Sequence, residues 1–285
     1  MADDIKRASG YGEGNVAPSI SAADVAREAD DFGPGVTHEG VLALAGADPI
    51  LELRDLCAGY GAMEILHGVD LAIGRGRSLC LVGPNGAGKS TVLHSIFGFT
   101  TIKAGTIIAL GRDVTHLTPS AKLRDAKIAY ILQDNSIFPD MTVEENLLMG
   151  GYLLADRSKA KEAAERVFAR YDRLAKRRRE RAGILSGGER RLLEISRALI
   201  MDPQVLLVDE PSIGLEPRMI DMVFEILADL RDGQGKTIVM VEQNARRGLE
   251  FADIGYVMVA GRVALAAPGA ELLDDPKVGR LFLGA

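Results

Sequence analysis

The stretch Gly83-Pro84-Asn85-Gly86-Ala87-Gly88-Lys89-Ser90 decides how the rest of the chain is read. It fits the pattern G-x-x-x-x-G-K-[ST], a loop that cradles phosphate between a strand and a helix. The sequence supplies both neighbours. Ser78-Leu79-Cys80-Leu81-Val82 is a short apolar run of the kind that forms a buried strand, and Ser90 to Phe99 reads as a helix. Glycines let the backbone curl so that successive N–H groups point inward at phosphate oxygens. The helix start adds its partial positive charge. In this reading Lys89 reaches the β- and γ-phosphates and the Ser90 hydroxyl ligates Mg2+. Gly83, Pro84, Asn85, Gly86, Ala87, Gly88 and Thr91 complete the nucleotide-contacting loop. The alternative is a glycine-rich turn that binds nothing, and the strand–loop–helix context weighs against it.

The chain has 285 residues, of which 47% are hydrophobic and 26% charged, ordinary proportions for a globular protein. Its net charge of −6 points away from nucleic acid as a partner. No apolar run approaches the roughly 20 residues of a membrane span, and the acidic N-terminus has no apolar signal core. Cys57 and Cys80 lie far apart in expected strands and read as small core residues, not as a metal or disulfide pair.

Residues 1–48 stand apart. They hold nine acidic and three basic residues, so this segment carries the whole net charge. Large apolar side chains are few, and the segment is expected to be a largely disordered extension, with one short helix over Ser21 to Asp30. The fold is expected to begin near Pro49. Ile50 to Tyr60, Leu66 to Ile73, Gly105 to Leu110 and Ile128 to Leu132 read as strands, and Leu123 to Lys127 as helical. Residues 134 to about 184 read as a mainly helical insert. Within it, Thr142 and Glu145 form a capping box for a helix to Leu154, and Ser158 to Tyr171 is amphipathic. The basic run Lys176 to Arg181 closes the insert, and its default reading is a solvated surface.

The second half narrows the chemistry. Val205-Leu206-Leu207-Val208 is a continuous apolar run, as expected of a parallel strand covered on both faces. It ends in Asp209-Glu210. Asp209 suits Mg2+, and Glu210 suits a general base acting on water; simple surface polarity is the rival reading. Leu185-Ser186-Gly187-Gly188-Glu189 opens a helix running to about Met201. Ser186 and Glu189 have capping-box spacing, and the glycines allow close backbone approach of a phosphate to the same N–H groups. Pro217 to Leu230 reads as helix, Thr237 to Val241 as strand, Asn244 to Phe251 as helix, and Ile254 to Ala266 as a hairpin. Short helices close the chain.

With these motifs the sequence resembles the ATP-binding-cassette family over residues 50 to 285. The resemblance implies an α/β fold: a P-loop NTPase core, an antiparallel β subdomain and a helical insert, with ATP and Mg2+ as ligands. It implies that Leu185 to Glu189 close on ATP held by a second subunit packed head to tail. Tyr60 matches the aromatic that stacks on adenine, and Gln133 the glutamine that senses Mg2+ and the attacking water. The stretch Ser212-Ile213-Gly214-Leu215-Glu216 matches the loop that crosses the dimer interface, with Glu216 where many relatives carry aspartate. Gln243 stands where a switch histidine is expected. An amide donates a hydrogen bond to a γ-phosphate but carries no proton.

Val241-Glu242-Gln243-Asn244-Ala245, Ala182-Gly183-Ile184-Leu185, Pro211 to Leu215 and Leu281 to Gly284 are similar to one subgroup, the ATPase subunits of importers for branched-chain and other hydrophobic amino acids, with some relatives serving amides or urea. Glu189-Arg190-Arg191 is also similar to cassette ATPases that extract lipopolysaccharide, which keeps lipid export open. A soluble cassette ATPase working away from membranes is a further alternative. The importer reading implies permease subunits, a second ATPase or a second copy of this chain, and indirectly a substrate-binding protein. It places the chain at the cytoplasmic face of the cell membrane. Apolar Ile137, Phe138 and Met141 are candidate permease contacts.

Overall fold

A computed structural model describes residues 36–133 and 136–283. The chain opens with helix α1 (His38–Ala45) and the strands β1 (Pro49–Tyr60), β2 (Met63–Gly74) and β3 (Ser78–Val82). Helix α2 (Lys89–Phe97) follows the phosphate loop, and then come β4 (Thr101–Ala109), β5 (Arg112–Asp113), α3 (Pro119–Arg124) and β6 (Ile128–Ile131). The insert contributes α4 (Val143–Gly150), α5 (Arg157–Arg170) and α6 (Asp172–Lys176). Next are α7 (Gly187–Leu199), β7 (Val205–Asp209), α8 (Pro217–Asp232), β8 (Thr237–Val241), α9 (Ala245–Phe251), the hairpin β9 (Ile254–Val259) and β10 (Arg262–Pro268), and α10 (Gly269–Asp274).

These strands make two sheets. One is antiparallel, in the order β2-β1-β4-β5, and the other has the order β10-β9-β3-β8-β7-β6. In the second sheet β6, β7, β8, β3 and β9 are parallel, and β10 pairs antiparallel at the edge. The parallel strands are buried on both faces, and their side chains alternate between two cores. Leu79 and Leu81 of β3 join the core shared with the antiparallel sheet and α2, while Cys80 and Val82 join the core shared with α4, α5, α7, α8 and α9. Leu206 and Val208 of β7 face the helical side, and Val205 and Leu207 face the other. The period-two repeat of a strand thus converts a continuous apolar run into a two-sided layer. Tyr256 in β9 is wholly buried, and its hydroxyl donates to the Ala72 carbonyl and accepts from the Ala72 N–H, both at 3.1 Å, which pins the two sheets together.

The N-terminal boundary differs from the expectation that residues 1–48 form a disordered extension. Residues 38–45 form a helix packed on β2, capped by Thr37, whose side chain accepts from the Gly40 N–H. Val41 and Ala45, one helical turn apart, are buried. His38 reaches Asp70 at 2.9 Å and Glu52 at 3.0 Å. Average composition concealed the helix, because two buried positions at i and i+4 suffice when an existing sheet offers the other half of the core. Burying Val41 alone stabilises by about 2 kcal/mol. The expected helix over Ser21 to Asp30 lies outside the described residues.

Within the insert, the capping box of Thr142 and Glu145 forms as expected. In the basic run Lys176, Arg179 and Arg181 are exposed, as expected of a solvated surface, while Arg177 and Arg178 are partly buried. Arg178 donates to Glu144 at 2.6 Å and also to Glu165, and stacks over Phe168. Arg177 donates to Glu180 and Glu189, both at 2.8 Å. Two of the six charges therefore stitch the insert together and tie it to the start of α7.

Candidate functional site

The topology carries four loops to one edge. Leu81 of β3 pairs with Val241 of β8, Asp209 of β7 pairs with the same Val241, and Ile131 of β6 pairs with Val208. The carboxyl ends of β3, β8, β7 and β6 therefore lie side by side. They present the phosphate loop, Glu242-Gln243, Asp209-Glu210 and Gln133 at the place where open α/β sheets bind ligands.

The phosphate loop runs from the end of β3 into α2. Gly83 has φ 149°, and a Cβ there would lie 2.2 Å from the Met258 carbonyl oxygen, so only glycine passes between the loop and β9. Gly88, with φ 96°, sits immediately before α2. The first-turn N–H groups of α2 lack intrahelical acceptors and are offered to an anion. Lys89 is buried, and its ammonium donates to the Gly83 carbonyl at 2.9 Å and the Pro84 carbonyl at 3.0 Å. Burial lowers its pKa, against the pull of Glu210 and Asp209. Asn85 and Gly86 are exposed at the loop tip, Ala87 is buried, and Thr91 is buried in the first turn of α2.

Ser90 donates through its hydroxyl to Asp209 Oδ1 at 3.1 Å. The hydroxyl of Tyr130, on β6, donates to Asp209 Oδ2 at 2.8 Å. Burial, followed by the charge of Asp209, raises the Tyr130 pKa and keeps the phenol protonated. Glu210 has φ 44°, an uncommon backbone state for a residue other than glycine, and its N–H donates to the Val241 carbonyl at 2.9 Å. Gln133 Nε2 donates to Glu210 Oε2 at 3.0 Å. The structure thus brings Ser90, Asp209, Glu210 and Gln133 into one cluster beside Lys89. A hydroxyl and a carboxylate 3 Å apart, with an amide nearby, are hard oxygen donors of the type Mg2+ takes.

Tyr60 lies at the end of β1, 44% exposed, and its hydroxyl is hydrogen-bonded to His94 Nδ1 on α2. His94 in turn packs edge-on against Tyr130 and Phe99. Burial lowers the His94 pKa, which favours the neutral ring.

Other expected residues lie apart from this cluster. The Ser186 side chain caps α7, and Glu189 returns the bond to the Ser186 N–H at 3.0 Å. Burial raises the Glu189 pKa, but bonds from Ser186 and Arg177 outweigh it, so Glu189 titrates below the usual carboxylate range. Leu185 is buried, whereas Ser186 and Gly187 are exposed. Among the described residues, Leu185 to Glu189 make no hydrogen bond to the phosphate loop; a Cβ on Gly187 or Gly188 would meet Leu215, Met219 and Met222 instead. Glu216 occupies the N-cap of α8 and makes no side-chain cap bond. Aspartate reaches back to the helix N–H groups at that position, and glutamate is one methylene too long.

Gln243 is exposed, and the buried residue next to it was missed by sequence reasoning. Glu242 Oε1 accepts from the Ser212 hydroxyl at 2.6 Å and the Asn244 N–H at 2.9 Å, joining the loop after β8 to the loop after Glu210. Tyr130 and Arg191 were also missed. Each had a signal: a phenol inside an apolar strand and a guanidinium on the apolar face of a helix both require partners.

Beside the cluster is a groove of about 320 Å3 lined by residues including Tyr130, Phe138, Met149, Tyr152 and Arg197. Phe138 is half-exposed in it, while Ile137 packs against the helical core and Met141 does not line the groove. Among the described residues no helix is long and apolar enough to cross a membrane.

The family model described as ABC transporter matches residues 66–213. A Pseudomonas aeruginosa protein named high-affinity branched-chain amino acid transport ATP-binding protein BraG is 40% identical over 79% of this chain and 95% of its own length. The probable branched-chain amino acid transport ATP-binding protein LivF of Archaeoglobus fulgidus is 38% identical over 82% of this chain and 99% of its own. The lipopolysaccharide export system ATP-binding protein LptB of Haemophilus influenzae is 30% identical over 82% and 97%. Among solved structures, the ADP conformation of an ATP-binding cassette of an ABC transporter superposes with a TM-score of 0.73 at 28% identity, covering 84% of this chain and all of that one. The α/β fold with its antiparallel sheet, the matched core and these relatives agree: this chain is a nucleotide-binding ATPase of the ABC transporter family.

Proposed function

We propose that this chain energises import of branched-chain or other hydrophobic amino acids by hydrolysing ATP on a membrane permease. The observation that carries the ATPase half is the convergence of Ser90, Asp209, Glu210 and Gln133 beside the phosphate loop. The identity to two branched-chain amino acid transport ATP-binding proteins, at 40% and 38%, carries the import half and exceeds the 30% to the lipopolysaccharide export protein. Residues 36–283 act as one ATPase domain, with 134–184 as its helical insert.

In the mechanism that the geometry supports, Gly83 to Thr91 wrap the phosphates with backbone N–H groups. Lys89 leaves the Gly83 and Pro84 carbonyls to pair with the β- and γ-phosphates. Tyr60 stacks on the adenine. Ser90, Gln133 and Asp209, the last fixed by Tyr130, would hold Mg2+, which would supply positive charge to the transferring phosphoryl group. Glu210 accepts the proton of the attacking water while Gln133 orients that water. Gln243 donates to the γ-phosphate from its exposed position. Ser186, Gly187 and Gly188 complete the site of a second ATPase subunit, in keeping with their making no hydrogen bond to this chain's own phosphate loop among the described residues. The groove beside Tyr130 and Phe138 receives the permease, which puts the chain on the inner face of the cell membrane.

The test is purification of this protein from native membranes in mild detergent, with companions identified by mass. Recovery of two permease subunits and a second cassette ATPase supports the importer. Recovery of soluble proteins alone overturns it.

A further inference from the structure

Arg191 lies in the second turn of α7, and Glu194 follows one turn later; both are nearly wholly buried, 4% and 6% exposed. They form an ion pair, Nη1 to Oε2, at 3.0 Å. The same guanidinium donates through Nη1 to the Leu132 carbonyl at 2.7 Å and the Gln133 carbonyl at 3.5 Å, and through Nη2 to the Asp209 carbonyl at 3.4 Å. Glu194 Oε1 accepts from the Ser136 N–H at 3.4 Å. The pair therefore grips the backbone on both sides of the segment that carries Gln133. It also grips the carbonyl of the residue immediately before Glu210. The side chains of Gln133 and Glu210 are the ones hydrogen-bonded to each other across this join.

Stability does not account for such an arrangement. A buried ion pair replaced by apolar residues of similar volume is often neutral or stabilising, because two desolvated charges are exchanged for packing. Arg191 also keeps its Nε buried without a hydrogen-bond partner. What the pair supplies that apolar residues cannot is a set of donors aimed at three carbonyls, in the planar fork that only arginine offers.

We propose that Arg191, held by Glu194, is a positioning residue for hydrolysis. It fixes Gln133 against Glu210 and makes that spacing depend on the helix that begins at Ser186. Movement of α7 when a second subunit engages its N-terminus is passed directly to the two side chains that handle the attacking water. Glu194 lines the groove beside Tyr130, so the same pair meets whatever fills that groove. This inference rests on the ATPase reading above.

The test uses the purified full chain and three measurements: thermal unfolding, KM for ATP and kcat. The double variant Arg191→Met/Glu194→Met removes both charges together and leaves neither unpaired. It is expected to unfold within a few degrees of the wild type and to keep KM within about twofold. Its kcat is expected to fall at least tenfold, a change of 1.4 kcal/mol in the barrier. The single variant Arg191→Lys keeps the buried charge pair, but one ammonium does not span the three carbonyls. It is expected to fold normally with kcat still depressed. Wild-type kcat in the double variant, or full recovery with lysine, overturns the proposal. A double variant that fails to fold also overturns it, because the pair would then be holding the fold. A wild-type chain that neither binds nor hydrolyses ATP overturns the underlying ATPase reading, and this inference with it.

Discussion

Gly187 and Gly188 are adjacent, yet alanine at the two positions should fail in opposite ways. A Cβ on Gly188 would lie 2.1 Å from Met219 Sδ and 3.2 Å from Met222 Cε, inside the contact between α7 and α8. Overpacking of this kind costs about 1–3 kcal/mol, softened here because methionine is flexible. A Cβ on Gly187 meets only Leu215 Cδ2, at 3.6 Å, an ordinary contact. Gly187 opens the helix and is exposed, so alanine there changes stability by no more than about +1 kcal/mol, in the stabilising direction. For a domain of this size 1 kcal/mol moves Tm by about 2–4 °C. Thermal unfolding should therefore show Gly187→Ala level with or above the wild type and Gly188→Ala several degrees below. Turnover should reverse that order of innocence. If the exposed N–H groups at the start of α7 close on the γ-phosphate in a second subunit, the Gly187 methyl stands between them. The kcat of Gly187→Ala should then drop at least tenfold in a protein that is fully folded. Rates should be read across protein concentration, since a site completed by a second copy turns over more than linearly with concentration below the dimer dissociation constant. Wild-type turnover by Gly187→Ala would refute the assignment of this surface to phosphate, and Ser186 with Glu189 would be left as a helix cap and nothing more.

Three further outcomes follow from the same geometry. Glu210→Gln should bind ATP normally, lose turnover by two orders of magnitude or more and accumulate as a closed dimer on gel filtration with ATP; unchanged kcat removes Glu210 from the base role. Gln243→Ala should weaken ATP affinity or slow turnover severalfold through loss of one donor to the γ-phosphate, and unchanged values for both would show that the switch position lies elsewhere. Burial pushes the amine of Lys122, which donates to the Ser95 carbonyl at 3.2 Å, from 10.5 down to about 8. Between those values the unfolded chain holds a proton that the folded one has released, so stability should rise with pH across that window, by up to about 3 kcal/mol. Lys122→Met should flatten the rise in urea unfolding, and an equally steep slope in that variant would exclude Lys122 as its source.

The legible parts of this protein were those in which one local pattern carries the whole instruction. The phosphate loop, the strand ending in Asp209-Glu210 and the two capping boxes each combine residue type, spacing and context within about ten positions, and each took its expected form. The central strands were equally plain, since five consecutive buried positions leave a continuous apolar run. Long-range partnerships were not legible. Tyr130 reads as one more residue of a short strand until β6 is set beside β7, which brings its hydroxyl to Asp209, 79 positions away. Arg191 reads as one arginine of three basic or acidic neighbours until α7 is laid against the ends of β6 and β7. Within the run from Lys176 to Arg181, the ties of Arg177 and Arg178 were hidden for the same reason. Charge density points to solvent, but the acidic partners Glu144, Glu165 and Glu189 lie on three other helices of the fold. Helix α1 was hidden by averaging: its two core positions are diluted by an acidic segment of 48 residues.

The two departures from the family pattern share an exposed setting. Gln243 and Glu216 are both exposed, Gln243 past the end of β8 and Glu216 at the N-cap of α8. The groups beneath them are held by named bonds: Ser90 and Tyr130 on Asp209, Gln133 on Glu210, Ser212 and Asn244 on Glu242 Oε1. In the proposed closed dimer, a substitution at either exposed position would alter what a second subunit or a γ-phosphate meets, because those would arrive from solvent. It leaves the placement of the base and the donors to Asp209 untouched, because those are fixed from below by β6, β7 and β8. Glu242 is the link between the two loops that carry these positions. Its carboxylate holds the Ser212 loop, which leads to Glu216, and the Asn244 N–H, which follows Gln243. In the proposed mechanism, exchange of histidine for glutamine and of aspartate for glutamate would therefore tune how a closed dimer is sensed, while the step on water would stay with Glu210.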